Sequence, residues 1–265
     1  MRCGNTFAPP LVISASRHGI EDSSCDLIKV KAAQLGHGLT TMTKQAKDYW
    51  LSAFGWAGVV APMVYVVTAV IGGAITPGYS HVRNAIGELV QRNAAHELVI
   101  NVAFALSNSL VLLFAIALFM RTRSLGALDF SIGARFVTAT AVTGLAMIAF
   151  PMDPIGLPLT PSGIAHIILA GFASLFSMSG MLAICIGLRR LQGGRLWSNY
   201  AALSLAIAFV SGVAAALGAV QLWSTMGFWE RLSVGAYLQF VFVFALILAT
   251  GTVSLVGTPA MQMKR

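Results

Sequence analysis

Residues 51–75 read LSAFGWAGVVAPMVYVVTAVIGGAI, a run without one Asp, Glu, Lys or Arg. The hydrocarbon core of a bilayer is about 30 Å thick, and an α-helix crosses it in about 20 residues. Lipid offers no water to backbone N–H and C=O groups, so such a run must satisfy them within itself, as a helix. The same reading gives five further spans, near Leu98 to Met120, Phe136 to Phe150, Ile164 to Leu188, Ser198 to Leu222 and Val234 to Val256. The third is short, and a start near Ile132 would take Arg135 with it, its long side chain snorkelling to the interface. The predicted fold class is all-α: a polytopic membrane protein built as a bundle of six transmembrane helices. Composition agrees, since 57% of the 265 residues are hydrophobic and 10% charged, where soluble domains carry about a quarter charged residues.

Cytoplasmic segments of membrane proteins are enriched in Lys and Arg. Only Arg83, Arg92 and Arg231 fall in the first, third and fifth connections; the other basic residues lie in the terminal segments and in the second and fourth connections. This predicts cytoplasmic N- and C-termini and a plasma-membrane location. The net charge of +8 therefore reports topology. The basic residues are scattered singly, without the stripe that nucleic acid requires, so no nucleic-acid partner is expected; the lipid bilayer is. Trp50, Trp197, Trp223 and Trp229 fall at span ends, where amphipathic rings anchor.

The expected organisation is a disordered cytoplasmic tail over residues 1–49, a six-helix transmembrane domain over 50–257 and a short basic cytoplasmic end over 258–265. Met42 is a plausible alternative start. Cys3, Cys25 and Cys185 lack metal-ligand spacing, and no nucleotide loop or paired haem ligands are visible, so no cofactor is expected.

Polar chemistry collects in the odd-numbered connections. Between the first two spans stand Pro77, Gly78, Tyr79, Ser80, His81, Arg83, Asn84, Glu88, Arg92, His96 and Glu97. Ser80, Asn84 and Glu88 recur at i, i+4 and i+8, which predicts a short helix presenting them on one side; an ordinary interfacial helix with a Glu88–Arg92 pair has the same spacing. Along the second span Glu97, Asn101, Ala105 and Asn108 form a narrow polar stripe expected to face the bundle interior. Asp153 follows the third span. His166 opens the fourth, on a face continuing through Ala170, Ala173, Ser174 and Ser177, and is expected to point inward. An ionisable residue just inside a span is a functional-site candidate; the plainer reading is that His166 bonds Asp153 or a backbone carbonyl.

The run from Pro77 to Leu89, then Phe150-Pro151-Met152-Asp153, then Ser162-Gly163-Ile164-Ala165-His166, resembles the bacterial and archaeal six-span family catalogued as domain of unknown function 998. The resemblance covers roughly Ala53 to Val253. That family typically has Ser-Glu-Leu where this chain has Gly87-Glu88-Leu89, so no nucleophilic serine is expected at that position. The resemblance implies architecture and nominates residues without implying a reaction.

Three functions fit these residues. One is a membrane-embedded hydrolase or transferase on a lipid or lipid-linked substrate, with Glu88, Asp153 and His166 as the catalytic cluster and Ser80, Arg83, Asn84, Asn101 and Asn108 as substrate contacts. Carboxylates with a histidine can share proton transfer or hold a divalent metal, whose presence the sequence leaves open. The others are a small transporter using the asparagine stripe and His166, and a non-catalytic membrane component in which the polar groups tie the loops together.

Overall fold

The computed structural model describes residues 49–124, 126–154 and 157–250. It contains six helices long and apolar enough to cross a membrane, and no strand among the described residues. These are α1 (Tyr49–Ile75), α2 (Glu97–Ser124), α3 (Leu128–Met147), α4 (Pro161–Arg189), α5 (Arg195–Gln221) and α6 (Met226–Thr250). A short 3-10 helix, Ile86–Val90, lies in the first connection. The residue 1–48 part of the expected tail, including the Met42 start, and the basic end at 258–265 lie outside the described residues.

Two boundaries differ from the sequence reading. Helix α3 begins at Leu128 and ends at Met147, so Phe150 belongs to the following turn and Arg135 stands nearly two turns inside the helix. Helix α6 begins eight residues before Val234 and carries Glu230 and Arg231 in its first two turns. Charge at a helix end is tolerated where partners meet it: the Ile86 N–H meets Glu230, and the Asn84 and Gly227 carbonyls meet Arg231, whose buried Nε has no partner among the described residues. A reading by hydropathy assigns such residues to the loop.

Consecutive helices from α2 to α6 pack on one another, and α6 also touches α2 and α4. Helix α1 closes the bundle through glycine. A Cβ on Gly55 would lie 2.8 Å from the Ala249 backbone, and one on Gly58 would lie 2.5 Å from Phe114 Cγ and 2.7 Å from Ala245 Cβ. Helix association in lipid depends on such close approach and on interhelical hydrogen bonds. Those bonds run from Ser107 Oγ to the Ala61 carbonyl at 2.9 Å, from Ser52 Oγ to Ala249 at 3.1 Å, from Ser233 Oγ to Ala208 at 2.8 Å and from Ser198 Oγ to Cys185 at 3.1 Å. The centre is filled by Phe114, Val137, Met181, Ile184, Phe240 and Val241, while Val66, Val67, Val70, Leu98 and Leu203 face outward, as a bilayer solvent allows.

The connections after α1, α3 and α5 meet at one end of the bundle. The Arg92 N–H donates to the Met152 carbonyl at 2.9 Å, and the Phe228 N–H to Val82 at 3.0 Å. A second apolar cluster seats this end: Ile86, Leu89 and Val90 of the 3-10 helix pack with Ala69, Ile100 and Phe104, flanked by Tyr65, Tyr79 and Val234. The first connection is thus a plug inserted between α1, α2 and α6.

Candidate functional site

Thr76 ends α1 by donating its hydroxyl to the Gly72 carbonyl at 2.7 Å. Gly78 then takes φ +75°, a left-handed turn that reverses the chain. The stretch 80–88 is not the continuous helix that the i, i+4, i+8 spacing predicts. Asn84 Oδ1 accepts from the Ser80 N–H at 2.8 Å, and Ala85 is extended before the 3-10 helix begins. A short polar side chain competing for the backbone in this way interrupts helix. The three residues are joined nonetheless, because Asn84 Nδ2 donates to Glu88 Oε2 at 2.7 Å. The Ala85 N–H donates to Glu88 Oε1 at 2.6 Å, so the buried Glu88 carboxylate caps the 3-10 helix from within.

The plug is locked by two residues absent from the sequence-derived site, Glu230 and Arg231. Glu230 Oε2 accepts from the Ile86 N–H at 2.8 Å. Arg231 donates to the Asn84 carbonyl at 2.8 Å, to the Gly227 carbonyl at 2.8 Å and to the Tyr79 hydroxyl. Tyr79 in turn donates to the Ala85 carbonyl at 2.9 Å. Burial pushes the Tyr79 phenol up to about 12, with the Arg231 guanidinium pulling the other way, so the hydroxyl keeps its proton and serves as donor and acceptor at once. Gly227 permits the arrangement: a Cβ there would meet the Asn84 carbonyl oxygen at 2.3 Å. The available signal was the Glu230-Arg231 doublet, the only charged residues between Arg195 and Lys264.

Asp153 organises the third connection, between α3 and α4. Its carboxylate is buried and accepts from the Thr160 N–H at 2.6 Å and the Thr160 hydroxyl at 3.0 Å. It lies so close to Gly163 that a Cβ there would fall 2.1 Å from Oδ2. Thr160 is the N-cap of α4 and accepts from the Gly163 N–H at 3.2 Å. The charge therefore sits over the positive end of the α4 dipole. Arg92, which the sequence paired with Glu88, is instead 4.0 Å from Asp153 across an exposed edge, because Glu88 turns inward to the plug.

His166 stands one turn into α4 and is buried, facing inward as expected. Its Nδ1 lies 2.8 Å from the Phe150 carbonyl oxygen, the backbone-carbonyl alternative. A carbonyl only accepts, so Nδ1 carries the proton and Nε2 is the lone-pair nitrogen. Nε2 has no hydrogen-bond partner among the described residues and points at Gly87, where a Cβ would stand 3.4 Å from it and 3.0 Å from Met152 Sδ. Along the same helix Ser177 is buried and Ser174 is exposed. Eleven residues close almost whole turns from His166, whereas eight overshoot by about 80°.

The three nominated catalytic residues thus gather at one end of the bundle, but no hydrogen bond or ion pair joins any two of them among the described residues, and each carboxylate faces its own loop. No group of three His, Cys, Asp or Glu among the described residues stands close enough to share a metal ion. Of the nominated contacts, Ser80 and Asn84 belong to the plug, and Arg83 is exposed. Asn101 lines an open groove between α2 and Ile148, below His96 and Glu97. Asn108 donates to its own Phe104 carbonyl at 2.9 Å and lies against Gly144 of α3, a packing position.

A bundle of six membrane-spanning helices, closed at one end by an inserted polar plug and a carboxylate-capped loop, defines a polytopic α-helical membrane protein. Within that class the chain belongs to the family described as protein of unknown function (DUF998), whose model matches residues 59–247. No match was found among curated proteins or among solved structures.

Proposed function

We propose that this protein is a membrane-embedded hydrolase or transferase acting on a lipid-type ester, with His166 as its acid–base residue and Glu88 and Asp153 as positioning residues. The observation that carries this reading is the His166 ring: Nδ1 is fixed on the Phe150 carbonyl, leaving Nε2 as a lone pair directed at the side-chain-free surface of Gly87. A water or hydroxyl held there would give its proton to Nε2 as its oxygen attacks the ester, and the departing alcohol would take that proton back. Gly87 supplies no hydroxyl, so the nucleophile comes from solvent or from a second substrate. The transport reading draws no support from Asn108, whose amide is engaged within the bundle.

The test is lipid conversion by the full chain in liposomes of phosphatidylglycerol and phosphatidylethanolamine, read by mass spectrometry. Wild type is expected to release fatty acid or exchange acyl or head groups, and His166→Ala to lose about a hundredfold or more of the rate. No conversion by wild type, or equal conversion by the variant, sinks the proposal. A second reading, a structural cap without chemistry, is favoured by the paired donors on both Glu88 and Asp153. It predicts that His166→Ala lowers folded yield and changes no rate.

The same proposal places the site at the extracytoplasmic face of the plasma membrane and both termini in the cytoplasm, supported by the Lys and Arg asymmetry. A reporter fused after Arg265 is expected to be active only as a cytoplasmic fusion; one found outside would reverse the orientation.

A further inference from the structure

The opposite end of the bundle carries a different arrangement. Arg123, in the last turn of α2, and Arg135 of α3 both lie over the ring of Phe119, with guanidinium carbons 5.9 Å and 5.3 Å from its centroid. Cation–π attraction of this kind positions a guanidinium without neutralising it. Asp129 is the only acidic residue at this end among the described residues, and it is engaged by Arg190 at 2.7 Å. Neither Arg123 nor Arg135 has an acidic partner among the described residues. Two like charges therefore share one aromatic ring. One of them, Arg135, starts about 10 Å along its helix from Leu128, at a depth where a charge facing lipid is costly unless it is paired or reaches the interface.

The presenting elements are held together. Thr122 donates its hydroxyl to the Leu118 carbonyl at 2.7 Å and accepts from Ser131 Oγ at 3.2 Å. Thr122 is the neighbour of Arg123, and Ser131 precedes Arg135 by one turn. The end of α2 and the start of α3 thus form one unit, and Arg123 and Arg135 are both exposed residues on it.

The geometry points to a binding site for the phosphodiester headgroup of an anionic phospholipid, formed by Arg123 and Arg135 around Phe119, in the leaflet at this end of the bundle. The charge of a lipid phosphate is the complement of theirs, and its acyl chains would run along the apolar faces of α2 and α3. A guanidinium fork suits phosphate oxygens better than an ammonium does. The site is independent of the chemistry proposed at His166.

The experiment is native mass spectrometry of the full chain released from nanodiscs containing equal amounts of phosphatidylglycerol and phosphatidylcholine. Wild type is expected to retain phosphatidylglycerol in preference to phosphatidylcholine. The R123Q/R135Q double variant is expected to lose that preference by about thirtyfold, at about 1 kcal/mol per arginine. R83Q/R92Q, at the other end, is expected to keep it. Equal retention of the two lipids by wild type, or undiminished preference in R123Q/R135Q, would overturn the site. Displacement of the retained lipid by millimolar inorganic phosphate would also overturn it, as a general anion site. Should the double variant fold poorly, the single variants R123Q and R135Q carry the same test, each expected to lose the preference by about fivefold, and an undiminished preference in both would overturn the site.

Discussion

Replacing Arg231 with alanine is expected to abolish most of the folded protein, at a cost of about 3–5 kcal/mol. The side chain holds the Asn84 and Gly227 carbonyls and the Tyr79 hydroxyl together. Without it these acceptors lose their donor in a region screened from water, and Glu230 loses the compensating charge beside it. Lysine is not expected to rescue the variant, since an ammonium cannot reproduce a planar fork of donors aimed at separate acceptors. Arg83→Ala, which removes an exposed charge from the same connection, is expected to stay within about 0.5 kcal/mol of wild type. Size-exclusion profiles and thermal melts in mild detergent check both. An Arg231→Ala protein that melts like wild type would mean that the plug does not depend on α6.

The second large effect is expected at Gly58. Valine there places new atoms inside Phe114 and against Ala245, both part of the packed centre, and α1 must move away from α2 and α6. A cost of about 3 kcal/mol is expected, read as a lower melting temperature and loss of the monodisperse peak. Gly235→Val on α6 is the control: nothing lies within 4 Å of its Cβ position, so the bundle should accept it. If the two variants behave alike, the closure of the bundle by α1 is wrong.

These contrasts show what was legible in the sequence. Span number was, because bilayer thickness converts apolar length directly into helices. The close approach at Gly55 and Gly58 depends on partners on α6 and α2 that no local pattern names. The start of α6 was hidden because Glu230 and Arg231 look like loop residues until their partners are known. Most of those partners lie in the first connection, 144 residues away for the Ile86 N–H that donates to Glu230. The candidate site was legible as a location and not as a constellation. Spacing brought Ser80, Asn84 and Glu88 into one set, and they are joined, but through a turn and a 3-10 helix. Asp153 and His166 were grouped with Glu88 by membrane end alone. Their separate duties, a helix cap and a ring held on Phe150, follow from local loop geometry that no periodicity records.

The functional claim rests on a lone pair at His166 Nε2, and His166→Asn isolates it. The asparagine amide can replace Nδ1 as donor to the Phe150 carbonyl while removing the basic nitrogen. The deciding measurement is lipid conversion in the same phosphatidylglycerol and phosphatidylethanolamine liposomes, with the melting temperature of each protein taken in parallel. The account predicts a His166→Asn protein that melts close to wild type and converts lipid about a hundredfold more slowly or worse. Conversion by His166→Asn at the wild-type rate would contradict it.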